Sequence, residues 1–347
     1  MSKDSDARRG RGVAMSGDTL LVGFGSALNF WRRARVAGLA AGDAGGRVLG
    51  GWRFETGDLA AAGLLACGCD PPLDVVVPSA SMRHNCDLIR DHVWRGSVPP
   101  GGTYAVGDGI EVCSIPLALV QLAAETQDVV GVMMLAYEMT GTYGLTPWRD
   151  SGFEERIAPL TSAAALMDYA RSAMALGIRG AKRAHEAFSY VTDGSASPRE
   201  TDLAILMALP RRKGGFGLDG FLLNDRVGLS GMARELLGRP TIKTDFRWKR
   251  EKRAGDVMLE YESDERHLAP QDLARDTRRR EALMKAGHHV HCITNEQLKD
   301  YDHLCKLMDS IALDLRIRRG KPSPAMEVQR RELFERVVYG IGADIDA

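Results

Sequence analysis

The sequence predicts an α/β protein with an N-terminal α+β region, a helical connector and a C-terminal mixed sheet flanked by helices. The chain has 347 residues, of which 44% are hydrophobic and 27% are charged, which is typical of a globular protein with room for two domains. Short strand-like runs alternate with helical runs along it. A segment rich in glycine, serine and proline, TDGSASP, separates two parts with different patterns.

The region 18–150 is predicted to be α+β. TLLVGFGSALNFWRRAR predicts a short strand followed by a helix, and LDVVVP predicts a buried strand that ends at Pro78. GTYAVGDGIEVCS is typical of a hairpin with its turn at 107–109. IPLALVQLAAE and VGVMMLAYEMTGTYG predict two helices, the second with Gly141 as a C-terminal cap. Residues 1–17 are polar and basic, and we expect a disordered tail there.

Two patterns in this region favour ordinary structure over a cofactor site. Gly23 and Gly25 match part of a dinucleotide-binding loop, but the third glycine of that motif is absent. The C-x-C pair at 67–69 could bind zinc with His84 and Cys86, but structural zinc sites usually have longer spacings within each pair. We expect free thiols in a reducing cytosol instead. No run approaches the roughly 20 apolar residues of a membrane helix, so we expect a cytoplasmic protein without a membrane partner.

Residues 151–195 are predicted to be a helical connector, because LTSAAALMDYARSAMALG and GAKRAHEAFSYV both read as helices. The next region covers 196–320, and residues 321–347 are expected to form a C-terminal helix and tail. The run SPRETDLAILMALP opens the 196–320 region with Ser197 as N-cap and Glu200 three residues later, which is the arrangement of a capping box.

The region 196–320 is predicted to follow the order helix, three strands, helix, strand and helix. The strands are GFLLNDRV, TIKTDFRW and DVMLEYES, and a fourth strand, HHVHCIT, follows a polar helix over 270–286. NEQLKDYDHLCKLMDSIALDLRIR predicts the closing helix. A right-handed crossover through the polar helix would join the third and fourth strands. This order implies a mixed sheet with helices on its faces.

The strand DVMLEYES carries an acidic pair that a purely structural strand would not need. Because strand side chains alternate, Met258, Glu260 and Glu262 face one way. Neighbouring carboxylates require a positive partner or a protonated carboxyl, and a divalent cation is one such partner. Asp245 comes beside Glu260 if KREKRAG forms a hairpin, and Glu200 could supply a third carboxylate. The alternative is the solvated face of an edge strand.

This stretch and its surroundings resemble the Vsr-like domain of unknown function 559, within the PD-(D/E)XK restriction-endonuclease-like superfamily. EYESDERHLAPQDLARDTRRREALMKAGHHVHCIT has that domain's order of residue types. The matching positions are Glu260, Glu262, His267, Asp276, Arg279, Leu283, Gly287 and Thr294. SPRET and TDFRW resemble the segments that carry the family's first glutamate and aspartate, here Glu200 and Asp245. The resemblance covers roughly 197–300, and Glu262 and Ser263 stand where the family commonly has Asp-Gly.

The resemblance implies a restriction-endonuclease-like sheet and a metal-dependent phosphodiester hydrolase acting on DNA, in which a metal activates water beside a phosphate. The catalytic residues it implies are Asp245, Glu260, Glu262, His267 and Glu200. Of these, Asp245 and Glu260 would hold Mg²⁺ or Mn²⁺, and His267 could act as general acid or base. The residues expected to contact DNA are Arg279, Lys249 and Arg250.

The N-terminal region resembles AbiEi-type antitoxin-like proteins through SALNFWRRAR, LDVVVP, GTYAVGDGIEVCS and PLALVQLAAE. That resemblance implies a regulator in a toxin–antitoxin or defence system, with DNA or a toxin protein as partner. Two alternatives to a nuclease stay open. One is a non-catalytic regulator that uses the nuclease fold as a binding scaffold. The other is a structural adaptor that binds no nucleic acid, which the net charge of zero permits.

Overall fold

The computed structural model describes residues 20–37, 67–84, 87–95, 97–107, 110–126, 128–251, 255–262 and 270–340 and, for 270–276, the backbone alone. The predicted tail at 1–17 and the predicted acid or base His267 lie outside these residues. The described strands are β1 (Leu20–Val22), β2 (Leu73–Val77), β3 (Ile89–Val93), β4 (Thr103–Gly107), β5 (Ile110–Cys113), β6 (Tyr143–Thr146), β7 (Gly152–Glu155), β8 (Leu222–Gly228), β9 (Thr241–Trp248), β10 (Val257–Glu262) and β11 (His289–Thr294). The described helices are α1 (Phe24–Val36), α2 (Ile115–Glu125), α3 (Val129–Thr140), α4 (Ala163–Ala175), α5 (Ala181–Phe188), α6 (Pro198–Ala208), α7 (Gly231–Leu237), α8 (Pro270–Lys285), α9 (Asn295–Lys299), α10 (Tyr301–Asp314) and α11 (Pro324–Glu335).

The described residues form an α/β protein, which confirms the predicted fold class. Two of its three sheets combine parallel and antiparallel pairs. The chain divides into two compact units, Met1–Val132 with Leu160–Ser189 and Met133–Pro159 with Tyr190–Ala347. Among the described helices, none has both the length and the apolar character needed to cross a membrane.

The sheet of the first unit has the strand order β3-β2-β1-β5-β4. The predicted strand LDVVVP is β2, whose residues are all buried, and the predicted hairpin is the antiparallel pair β4–β5. The predicted strand–helix run is β1 followed by α1. Trp31 of α1 is buried and donates its indole N–H to the Cys113 carbonyl at 2.8 Å. The Ser114 hydroxyl accepts the Leu117 N–H and so caps α2, with Pro116 in the first turn.

The sheet of the second unit has the strand order β11-β10-β9-β8. β9 is antiparallel to both of its neighbours, and β10 is parallel to β11 through the crossover helix α8. This is the mixed sheet that the sequence predicts, with the short helix α7 added between β8 and β9. Helix α8 packs on the sheet through a buried apolar cluster. Members of that cluster include Val227, Ile242, Met258, Ala282 and Leu283.

Two predicted helical stretches differ from the structure. The connector predicted at 151–195 begins with a strand, because β7 pairs with β6 as a hairpin before α4 starts. Strands of four residues are too short to show a two-residue period clearly. The predicted closing helix is two helices, because the Asp300 carboxylate accepts the N–H groups of Asp302 and His303 and starts α10 as a new N-cap.

Candidate functional site

A cleft of about 550 Å³ lies in the second unit at the start of α6, beside β8, β9 and α8. The segment that follows β7 forms another wall. The ionisable and amide side chains that line the cleft include Glu155, Arg156, Glu200, Asn224, Lys243, Asp245 and Arg279. Three residues singled out from the sequence, Glu200, Asp245 and Arg279, therefore share one cavity.

Glu200 is positioned by the first turn of α6. The Ser197 hydroxyl accepts the Glu200 N–H at 3.2 Å, which is one half of the predicted capping box. The other half differs, because Glu200 Oε2 accepts the N–H of Ala196, one residue before the cap, at 3.0 Å. Glu200 Oε2 also accepts a hydrogen bond from Asn224 Nδ2 of β8 at 2.5 Å. These contacts hold a buried carboxyl in place at the cleft.

Asp245 lies where the ladder between β9 and β10 ends. The last paired residues toward the cleft are Leu259 and Phe246. One step further, the N–H of Tyr261 is accepted by Asp245 Oδ2 at 2.8 Å, so the carboxylate takes the place of a ladder carbonyl. Because Tyr261 directly follows Glu260, this bond fixes Asp245 against the backbone of the acidic strand. The hairpin expected from KREKRAG is therefore present as β9 and β10.

Glu260 and Glu262 lie on the face predicted by strand alternation. Met258 packs against α8, and the two glutamates bond arginines of the same helix. Arg279 Nη2 lies 2.6 Å from Glu260 Oε2, and Arg280 bonds Glu262. The positive partners of the acidic pair in the described residues are thus guanidinium groups. Glu262 and Glu260 are absent from the lining of the cleft, whereas Arg279, the partner of Glu260, is one of its lining residues.

Two carboxyl groups in and beside the cleft, those of Glu200 and Glu260, have raised pKa values. Burial and the neighbouring charge of Asp245 raise the pKa of Glu200 to about 8. Burial, and then Asp245, raise the pKa of Glu260 to about 7, although the Arg279 guanidinium opposes that rise. Asp245 is thus close enough to both glutamates to disfavour their ionisation. Near neutral pH, the group of three carboxyls retains protons that isolated carboxyls would have lost.

The donor set at this place fits a hard divalent cation, since Mg²⁺ is commonly held by one or two carboxylates together with water. Glu260 Oε1 is buried and accepts no hydrogen bond of ordinary geometry from the described residues, although the Thr244 hydroxyl lies close enough to Glu260 to favour its ionised form. Asp245 is the second candidate ligand. No group of three or more His, Cys, Asp and Glu among the described side chains is arranged to hold a metal. A cation would therefore be held by Asp245 and Glu260, with other oxygens from water or substrate.

The predicted DNA-contacting residues Lys249 and Arg250 lie away from the cleft lining. Lys249 Nζ is 3.3 Å from Asp225 Oδ2, a carboxylate that also bonds Arg247. Arg250 donates its backbone N–H to Asp256 at 2.9 Å. Both residues follow β9, where they contribute to the structure of the hairpin end.

The cleft residues that the sequence did not predict include Asn224, Arg156 and Lys243. Asn224 has a positive φ of 53° within β8, and this local break turns its amide toward Glu200. Arg156 comes from the segment after β7, which lies far from β9 along the chain. Lys243 is two residues before Asp245, so strand alternation in TIKTDFRW is a signal that could have placed it beside the site.

No family model, no curated protein and no solved structure matches this chain. The resemblances to the Vsr-like domain and to AbiEi-type proteins therefore stay predictions.

Proposed function

We propose that the second unit hydrolyses phosphodiester bonds of DNA with the help of a divalent cation, Mg²⁺ or Mn²⁺. The observation that carries this proposal is the convergence of three carboxyls from separate elements: Glu200 and Asp245 line the cleft, and Glu260 lies beside it, bonded to the cleft residue Arg279 and within electrostatic reach of Asp245. Acidic side chains with perturbed pKa values rarely gather in a cavity for stability alone, because their mutual repulsion is unfavourable.

Each residue has a role that follows from its contacts. When bound, the cation would activate water and neutralise charge that develops on the phosphate. Asp245 and Glu260 would hold it, and Tyr261 fixes the orientation of Asp245 through its N–H. Glu200 has a pKa of about 8 and can therefore exchange a proton near neutral pH. Asn224 orients that carboxyl.

A second candidate function is a non-catalytic regulator that binds DNA or a toxin protein through the same fold. One observation favours it: Arg279 and Arg280 form ion pairs with Glu260 and Glu262. An acidic pair that is balanced by arginines can serve a purely structural purpose, since a paired buried charge does not need a further partner.

A cleavage assay separates the two functions. Purified full-length protein is incubated with plasmid and short duplex DNA in Mg²⁺ or Mn²⁺, beside Asp245→Asn and Glu260→Gln. Both substitutions keep the size of the side chain and remove a ligand charge, so we expect at least about 100-fold slower cleavage. Glu235→Gln is the matched control, because Glu235 is exposed on α7 outside the cleft.

Three results of the cleavage and DNA-binding measurements distinguish the proposals. Cleavage that both variants lose and Glu235→Gln keeps supports the hydrolase. No cleavage by the wild type, together with salt-sensitive DNA binding that all variants retain, supports the regulator. A protein that neither cuts nor binds DNA contradicts both proposals and leaves the structural adaptor.

A further inference from the structure

Two basic side chains that line the cleft have no ion-pair partner within the described part of the chain. Arg156 and Lys243 are both exposed, and neither forms an ion pair with any other residue whose placement is described. Arg279, which lines the same cleft, is instead bonded to Glu260. The cleft therefore presents two available positive charges next to its group of carboxyls.

Arg156 is held in place by its backbone. Its φ of 61° is left-handed, a conformation that residues other than glycine seldom adopt without a structural or functional reason. The next residue, Ile157, donates its N–H to the Thr142 carbonyl at 3.1 Å, which anchors the segment after β7 to the start of the β6–β7 hairpin. The position of Arg156 at the wall of the cleft is thus fixed by a hydrogen bond and does not depend on a loose loop.

Lys243 is placed by the strand that carries Asp245. β9 pairs with β8 through Lys243 and Arg226, so the backbone at Lys243 belongs to the sheet. Its positive charge lowers the pKa of Glu200, although burial and Asp245 outweigh that effect. Lys243 is therefore near the carboxyls, and its flexible stem can reach an anion that enters the cleft.

We propose that Arg156 and Lys243 form a phosphate-binding subsite for a nucleic-acid strand at the cleft. A phosphodiester that approaches Glu200 and Asp245 would be repelled unless positive groups accompany it, and among the described residues that line the cleft Arg156 and Lys243 can supply that charge. The two come from separate elements on the cleft wall, which suits an anion with several acceptor oxygens. This inference deepens the proposed hydrolase and rests on it, since the subsite would hold the backbone beside the reacting bond.

The subsite is tested by metal-free binding. Fluorescence anisotropy measures the affinity of the full chain for a labelled single-stranded 20-mer in EDTA over a series of salt concentrations. We expect Arg156→Gln and Lys243→Gln each to weaken binding about tenfold, since each removes a charge-assisted contact. Each should also reduce the slope of log affinity against log salt by about 0.7, the value for one phosphate contact on a single strand.

Matched controls are Arg234→Gln and Lys306→Gln, which remove exposed cations outside the cleft. Circular dichroism checks that every variant is folded. The inference is overturned if the two cleft variants bind as tightly as these controls, or if the wild type shows no binding at low salt.

The two proposals fail in different ways. If the cleft variants lose metal-free binding but the wild type never cuts DNA with Mg²⁺ or Mn²⁺, the subsite stands and the hydrolase fails. If the wild type cuts DNA and Arg156→Gln and Lys243→Gln bind and cut as well as it does, the hydrolase stands and the subsite fails.

Discussion

The sharpest physical prediction concerns the charge of Glu200. Replacing it by glutamine removes the charge while the hydrogen bonds are retained. Oε2 receives both amide donors, from Ala196 and Asn224, and the side-chain carbonyl oxygen introduced by Glu200→Gln can accept them. Oε1 lies 3.3 Å from the Ser197 hydroxyl, which can accept from the new amide group. The substitution therefore isolates the electrostatic cost of an ionised carboxylate at this position.

The magnitude follows from linkage. The folded-state pKa of Glu200 is about 8 because burial and Asp245 disfavour the charged form. An unfolded glutamate has a pKa of about 4.3. Between these values the folded state binds more protons than the unfolded state, so wild-type stability falls as the pH rises through this window. At about 1.4 kcal/mol per pKa unit, ionisation of Glu200 lowers the free energy of unfolding of the wild type by at most about 5 kcal/mol. We expect the free energy of unfolding of Glu200→Gln to exceed that of the wild type by about 2–4 kcal/mol at pH 9.

Urea unfolding in EDTA at pH 5 and pH 9 tests this, with tryptophan fluorescence as the probe, since Trp248 of β9 lies in the same unit. At pH 5 the advantage of the variant should shrink to about 1 kcal/mol or less, because Glu200 is then protonated in the fold and only ionisation in the unfolded chain still favours unfolding of the wild type. At pH 9 the variant should unfold at clearly higher urea. Glu235→Gln, on an exposed site, should match the wild type at both values. Equal midpoints for Glu200→Gln and the wild type at pH 9 would refute the reasoning.

Two further predictions concern stability. Gly255→Ala should be much more destabilising than Gly287→Ala: both glycines have positive φ, but a Cβ at Gly255 would lie 1.8 Å from the Gly287 carbonyl oxygen, whereas one at Gly287 meets nothing. In urea unfolding we expect the free energy of unfolding to fall by about 1–2 kcal/mol for Gly287→Ala and by about 3 kcal/mol or more for Gly255→Ala. Equal losses for the two variants would contradict the clash at Gly255. For His92, burial alone would lower the pKa, but Asp74 and Glu125, whose oxygens lie 2.9 and 2.8 Å from its ring nitrogens, raise it. The amount by which the free energy of unfolding of the wild type exceeds that of His92→Gln should be largest below about pH 6.5 and should be lost as the pH rises through the folded-state pKa of His92. If this difference in the free energy of unfolding is the same at pH 5.5 and pH 9, the ring of His92 is not charged in the fold.

Much of the second unit could be predicted because the signals are local. Strand alternation put Glu260 and Glu262 on one face, and both indeed bond the same helix. The cap at Ser197 was visible in four residues of sequence, and it fixes the backbone of Glu200. The order of elements implied the crossover through α8. These features depend on residues that are only a few positions apart, so their spacing can be read directly from the sequence.

The partners of the acidic pair were decided only by the tertiary structure. The sequence established that two carboxylates on one strand face need positive charge, but a metal, a proton or an arginine would each satisfy that need. Packing of α8 against the sheet brought Arg279 to Glu260, and a break in β8 turned Asn224 toward Glu200. The segment after β7 likewise supplied Arg156 to the cleft. Such contacts join residues far apart in the chain, and no periodicity encodes them, because they depend on how whole elements pack.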